Sequence, residues 1–273
     1  MKFELNEMLN PVNEINILNK FQKKFTFCTL VTNEKEYLQM VGSAQNIGFI
    51  GEDVEFIYFN NKNDNCFDGY SGVNHAIRNA NGEYLIFCHQ DLLFKYDDRA
   101  DLELCLQELA QLDSNWALAG NAGRDGAGLA FVRITDPHGV DQKYGTFPHE
   151  VISLDENFII INRKQSIACT ASLSGFHLYG TDLCQNAKLL GLKSYVIDFH
   201  LHHKSGGKID ENYKLAKKSY IELQCNRKKS QFYSTSCSNF FVSSNKMLNY
   251  IFNKKFFLKL LRSWHKRKTS RWF

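Results

Sequence analysis

Short apolar runs alternate with helically spaced segments along most of this chain. Residues 25–31 (FTFCTLV), 54–59 (VEFIYF) and 84–88 (YLIFC) are continuous apolar runs of strand length. That pattern predicts strands buried on both faces. Between the first two runs, Tyr37, Met40, Val41, Ala44 and Ile47 recur at helical spacing, and residues 71–80 predict a second helix. Thr32, Asn33 and Glu34 leave the first strand as an exit loop with a helix cap. Asn81-Gly82 predicts a turn before the third strand. A helix is expected over 98–112, with Leu102, Leu106 and Leu109 on one face. Strands are expected at 116–120, 129–134, 151–154, 158–161 and 194–199. Residues 175–191 read as a helix ending at glycine, and 135–148, with Asp136-Pro137-His138-Gly139, as a turn or long loop. Alternating strands and helices predict an α/β fold with a parallel sheet. Two or more helices are expected to close the chain, and no internal repeat is visible.

Composition narrows the class. A chain of 273 residues with 44% hydrophobic and 14% aromatic content supports one large domain with or without an appendage. Three prolines and 17 glycines exclude a collagen-like or disordered chain. No run is long and apolar enough to predict a membrane-spanning helix. Residues 1–7 carry acids and no apolar stretch, so no signal peptide is expected. The eight cysteines form no Cys-x-x-Cys pair, which argues against a zinc knuckle or redox motif and fits a reducing cytosol. Residues 1–225 hold 21 Lys and Arg against all 29 Asp and Glu, whereas residues 226–273 hold 12 and no acid. The expected organisation is an N-terminal extension over 1–24, a core domain over 25–225 and a basic tail over 226–273. Within the tail, Leu248, Ile251, Phe252, Phe256, Leu260 and Trp264 share one helical face over 247–264. Such a helix either lies in an anionic membrane interface or packs on the core domain with a solvated basic rim. The tail carries no nucleic-acid recognition motif.

Four stretches carry candidate chemistry. His89 and Asp91, two apart just past the third strand, read as a metal pair or as a polar strand end. Asp182, near the start of the 175–191 helix, reads as a cap or as a general base. Residues 198–207 (DFHLHHKSGG) place three histidines, a lysine and two glycines past another strand, suited to metal or phosphate contact. Residues 121–128 (NAGRDGAG) are glycine-rich but lack both the P-loop lysine and a Gly-x-Gly-x-x-Gly turn, leaving a flexible loop or a phosphate cradle.

Together these residues resemble GT-A glycosyltransferases, specifically a bacterial family-2-like group whose metal motif reads His-Gln-Asp. The matching stretches are residues 74–77 (NHAI), 82–91 (GEYLIFCHQD), 151–156 (VISLDE), 175–184 (GFHLYGTDLC) and 203–207 (HKSGG). The resemblance implies a GT-A type, mostly parallel sheet flanked by helices. It implies transfer of a sugar from a nucleotide-sugar donor to a bacterial surface glycan: lipopolysaccharide, lipooligosaccharide or capsule. Thr32, Asn33 and Glu34 would line the nucleotide, Asn60 and Asn61 would face base and ribose, and Asn74 would lie near the donor. His89 and Gln90 would also contact the donor. Asp91, His89 and His203 would hold Mn2+ or Mg2+, and Asp182 would be the base of an inverting reaction. The expected protein is cytoplasmic, peripheral at the inner face of the plasma membrane, and meets a lipid-linked glycan. Asparagines replace a second-strand aspartate of many relatives, and His89 replaces an aspartate of the wider family. The competing expectation is a non-catalytic GT-A-like binding or scaffold subunit, which follows if His89, Asp91 and Asp182 do not converge.

Overall fold

The computed structural model describes residues 21–207, 210–234 and 238–269. The chain divides into two compact units after Asn212. Most of the expected N-terminal extension lies outside the described residues.

The first unit opens as its apolar runs dictate. β1 (Lys23–Val31) runs through Asn33 into α1 (Glu34–Asn46), and the Asn33 side chain accepts from the Lys35 and Glu36 amides. β2 (Val54–Asn60) is followed by α2 (Gly69–Asn79), which starts ahead of the expected Ser71. Asp68 is the reason: its carboxylate accepts from the Ser71 amide, and Ser71 Oγ accepts from the Asp68 amide. β3 (Gly82–Cys88) takes in Gly82, the residue expected in a turn. A Cβ there would stand 2.6 Å from the Thr26 nitrogen, so glycine lets β3 begin flush against β1.

β4 (Leu92–Leu93), α3 (Arg99–Leu112) and β5 (Trp116–Gly120) follow. The glycine-rich stretch is not a free loop, because β6 (Ala122–Arg124) pairs antiparallel with β7 (Ala130–Asp136). Nor is 135–148 a loop throughout: β8 (Gly139–Tyr144) folds back on β7, although its polar sequence GVDQKY lacks the alternation that announces a strand. The expected strand at 151–154 splits into β9 (His149–Val151) and β10 (Ser153–Leu154), which join different sheets. β11 (Phe158–Asn162), α4 (Tyr179–Leu189), β12 (Lys193–Val196) and β13 (Leu201–His203) complete the unit. α4 starts later than Gly175 because Gly175 and Leu178 adopt left-handed φ of 111° and 67°.

The main sheet has the order β2-β1-β3-β11-β5-β12-β9. Five of its strands point one way, and β11 and β9 run against them. α1 and α3 cover one face through Met40, Ala44, Leu102 and Leu106, while α2 and α4 cover the other through Val73, Ala76, Leu183 and Ala187. Every residue of β11 is buried, and Ile160 faces the first core while Ile159 and Ile161 face the second. A second sheet has the order β10-β6-β7-β13-β4, with β8 on the side of β7.

After α5 (Glu211–Arg227), the second unit contains a hairpin that the apolar pattern does not announce, β14 (Gln231–Ser234) with β15 (Asn239–Val242). The single helix expected over 247–264 is two, α6 (Lys246–Phe252) and α7 (Lys255–Thr269). Asn253 explains the break. Its side chain accepts from the Phe241 amide at 2.9 Å and donates to the Phe241 carbonyl at 2.8 Å, tying the helix end to the hairpin. No helix among the described residues is long and apolar enough to cross a membrane.

Gly82→Ala is expected to destabilise the fold by about 1–3 kcal/mol, because the methyl must force β1 and β3 apart. Gly126→Ala has open space around it and is expected to stay within about 0.5 kcal/mol of wild type. Urea unfolding of both variants at an unchanged m-value checks the pair.

Candidate active site

The exits of β1, β2 and β3 open on a cavity of about 290 Å³, near the small end of the range for small-molecule sites. Leu30, Phe87, Phe176 and Tyr179 supply apolar walls, while Thr32, Glu36, Asn61, Gln90 and Asp91 supply polar groups. Gly69 makes room for one wall, since a Cβ there would stand 2.3 Å from the Tyr179 ring. Cys88 also lines the cavity, but burial pushes its thiol up to about 12, which leaves it inert near neutral pH.

At one end of the cavity three ligand-type side chains meet. β13 pairs antiparallel with β4, placing His203 opposite Leu92, and the Lys204 amide donates to the Asp91 carbonyl. The seam brings His203 Nε2 to 3.3 Å from Asp91 Oδ1 and 3.4 Å from His89 Nδ1. The ligand atoms of His89, Asp91 and His203 all lie within 4.8 Å of one another. Donors about 2.1 Å from a shared ion stand roughly 3.0–3.4 Å apart in octahedral or tetrahedral shells, a spacing that the two pairs through His203 match. The protonation states suit an ion too. Burial alone would raise the Asp91 carboxyl, but hydrogen bonds from His203 and Ser205 and the nearby imidazoles outweigh it and hold the group well below the usual carboxylate range. Burial, aided by His203, pushes the His89 imidazole below its ordinary value, leaving it neutral at pH 7. An ionised carboxylate and a neutral imidazole are what a metal requires.

Other expected residues are placed as follows. Gln90 joins two exit loops: its Oε1 accepts from the Thr32 and Asn33 amides at 2.9 Å each, and its Nε2 donates to Thr32 Oγ1. Thr32 lines the cavity, Asn33 caps α1, and Glu34 forms an exposed ion pair with Lys62. Asn61 lines the cavity while its amide clasps the Phe67 backbone, and Asn60 is exposed. Asn74 does not line this cavity; its amide exchanges two hydrogen bonds with the Cys169 backbone.

Asp182 lies apart from this cavity. Its side chain is fully buried and does not line the cavity. Its carboxylate accepts from the Thr170 amide at 2.6 Å, from Thr170 Oγ1 at 2.8 Å and from Asn186 Nδ2 at 3.2 Å. These contacts make it an anchor for the segment before α4. The carboxyl at the amino end of α4 is Glu156, which the apolar pattern does not single out. Leu178 gives α4 no side-chain cap, and Glu156 accepts from the Gly180 amide instead. Burial first, then the charge of Asp155, raises Glu156 to about 8. The Asp155–Glu156 turn abuts the metal-type cluster, since the His89 amide donates to the Asn157 carbonyl at 2.9 Å. In the sequence it is marked by two adjacent acids before an apolar run, at the end of the 151–156 stretch that carries the family resemblance.

No protein-family model matches the chain. A Fuscovulum blasticum protein named "ATP synthase subunits region ORF 6" is 34% identical over 195 residues, which are 69% of this chain and 78% of that protein. Among solved structures, the mannosyltransferase PcManGT from Pyrobaculum calidifontis, in complex with GDP-Man and Mn2+, matches with a TM-score of 0.50 at 10% identity. That match covers 77% of this chain and 66% of the neighbour. GalNAc-T7 with UDP, GalNAc and Mn2+ matches with a TM-score of 0.46 at 11% identity, over 76% of this chain and about half (51%) of the neighbour. By the Pyrobaculum match, the central sheet flanked by helices has a glycosyltransferase-type fold.

Two outcomes are expected here. Asp182→Asn turns an amide N–H toward a buried donor and destabilises the protein by about 1–3 kcal/mol, measurable by thermal or urea unfolding. Glu156 has a folded-state value above its ordinary 4.5, so its stabilising contribution is fully present below about 4.5 and is lost as pH rises through about 8. Melting curves across that window should fall less steeply for Glu156→Gln than for wild type.

Proposed function

We propose that this chain, which belongs to the family of the Fuscovulum blasticum ORF 6 protein, is a metal-dependent glycosyltransferase of the GT-A type. In this reading it transfers a sugar, with inversion, from a nucleotide-sugar donor to a bacterial surface glycan or its lipid-linked precursor, at the inner face of the plasma membrane. The observation that carries the reading is the convergence of His89, Asp91 and His203 beside an apolar-walled cavity at the sheet's carboxyl edge. A nucleotide sugar and Mn2+ are also the ligand class named for the Pyrobaculum neighbour. The family-2-like resemblance and its His-Gln-Asp motif fit the same residues.

His89, Asp91 and His203 would hold the divalent ion, which when bound supplies positive charge for a diphosphate leaving group. Two imidazoles and one carboxylate favour a transition ion such as Mn2+ over Mg2+, which prefers an all-oxygen shell. Gln90 fixes the Thr32–Asn33 loop against the metal-side strand, so the nucleotide's wall and the ion's ligands keep one geometry. Thr32, Asn61 and Glu36 offer polar contacts to the donor from the cavity wall. The acceptor hydroxyl must lose a proton to a nearby base; the candidate is the Asp155–Glu156 pair, which lies outside the cavity lining but is tied to the His89 strand end through Asn157. Asp182 acts as a positioning residue, through Thr170.

Direct binding tests the metal assignment. Mn2+ titration followed by electron paramagnetic resonance should give one site per chain, weakened at least about 10²-fold by Asp91→Ala or His203→Ala. Unchanged binding in both variants would exclude the cluster. Transfer from nucleotide-sugar donors, scored with and without Mn2+, tests the activity. If Glu156 is the base, turnover climbs as pH passes about 8, and Glu156→Gln lowers kcat by about 10²–10⁴-fold. If Asp155→Asn has that effect instead, the base is its neighbour. The burial of Asp182 favours one alternative, a GT-A-like binding subunit without catalysis. Tight donor binding with neither transfer nor hydrolysis would decide for it.

A further inference from the structure

The second unit bears an apolar surface that its own packing leaves exposed. Inside the unit, Phe241 of β15, Phe252 of α6 and Phe257 of α7 form a chain of ring contacts at 5.0 and 5.6 Å. Phe257, Leu258 and Leu261 are the partly buried side of α7. Phe256, Leu260 and Trp264 continue that side outward as an exposed strip about 80° wide at 3.6 residues per turn, with Phe256 against Phe257 at 5.4 Å between ring centroids. They are 67%, 51% and 52% exposed. Lys255, Lys259 and Arg262, all exposed, follow on the far side of that stripe. α6 adds Met247 and Tyr250, both exposed, with Lys254 Nζ 3.9 Å from the Tyr250 ring centroid.

A helix that only packs on its own hairpin needs one apolar stripe. The apolar arc of α7 runs about 80° past its packed side, and cations border its outer edge. Charge selects the partner: residues 226–273 carry 12 Lys and Arg and no Asp or Glu. A bilayer with anionic headgroups offers apolar depth and negative charge in one plane, and aromatic residues favour its interface. We propose that α6 and α7 seat the second unit on an anionic lipid surface. Phe256, Leu260 and Trp264 enter the acyl boundary, and Lys255, Lys259 and Arg262 lie at headgroup level. The inference rests on the transferase reading only for its purpose, which is to meet a lipid-linked acceptor; the binding itself is independent of transfer.

The test is co-sedimentation of the full chain with phosphatidylcholine vesicles and with mixed phosphatidylcholine–phosphatidylglycerol vesicles. The expected result is binding to the mixed vesicles alone, weakened by added salt. The variant K255Q/K259Q/R262Q should bind roughly 10²-fold more weakly, at about fivefold per basic residue. The variant F256S/L260S/W264S should lose at least as much. Equal binding to both vesicle types overturns the proposal, and so does wild-type affinity in the serine variant. A serine variant that loses only self-association, read by light scattering, assigns the stripe to a second copy of the chain and also overturns it. Both variants should keep the wild-type melting temperature and Mn2+ affinity. Loss of Mn2+ binding in the wild type would sink the transferase reading without touching this one.

Discussion

Asp91 and His203 stand far apart in the chain and 3.3 Å apart in space. The candidate site depends on the seam that joins them, two residues of β4 against two of β13, with β13 held in turn by β7. Side chains alternate along a strand, so a slip of one residue would exchange His203 for His202 and turn it to the other face. The second sheet thus does more than cover the first. It sets the register that makes a strand exit on the main sheet into a three-ligand cluster. The chain also separates its neighbouring histidines by environment. His200, in the same stretch, stacks on Tyr96 and bonds Thr135, away from the cluster.

Electrostatics then sets what the cluster can do. The side chains of His203 and Asp91 are only 10% and 15% exposed, so their charges are poorly screened. Hydrogen bonds from His203 and Ser205 keep Asp91 ionised despite burial, while burial keeps His89 neutral. A buried carboxylate facing two imidazoles is expensive to maintain as structure alone, because desolvation offsets much of the attraction. A bound cation would repay that arrangement. Glu156 illustrates the opposite balance. Its bond from the Gly180 amide does not overcome burial and the neighbouring Asp155, so its proton is retained to about 8.

The second unit solves a different problem. A two-stranded hairpin is marginal by itself and exposes an edge. Asn249 and Asn253, four apart on one face of the α6 segment, bond both the amide and the carbonyl of Ser243 and of Phe241. Two side-chain amides thus stand in for a missing strand. The same contacts stop α6 at Asn253 and set α7 apart as a separate helix.

The sequence by itself determined the main sheet and its helices. Continuous apolar runs such as FTFCTLV and YLIFC have few ways to be buried, and local caps at Asn33 and Asp98 mark where helices begin. It also determined that His89 and Asp91 leave a strand end together, because that follows from spacing alone. Short polar strands such as β8 and β13 were not legible, since pairing rather than pattern makes them strands. The role of Asp182 was undecidable for the same reason: an acid in a first helical turn looks the same whether it faces a cavity or Thr170. Only the tertiary structure brought His203, a ligand the family resemblance implies, to 3.3 Å from Asp91, made Glu156 the cap of α4 and left part of the apolar face of α7 exposed. Each depends on contacts between residues distant in the chain, and local periodicity holds no information about them.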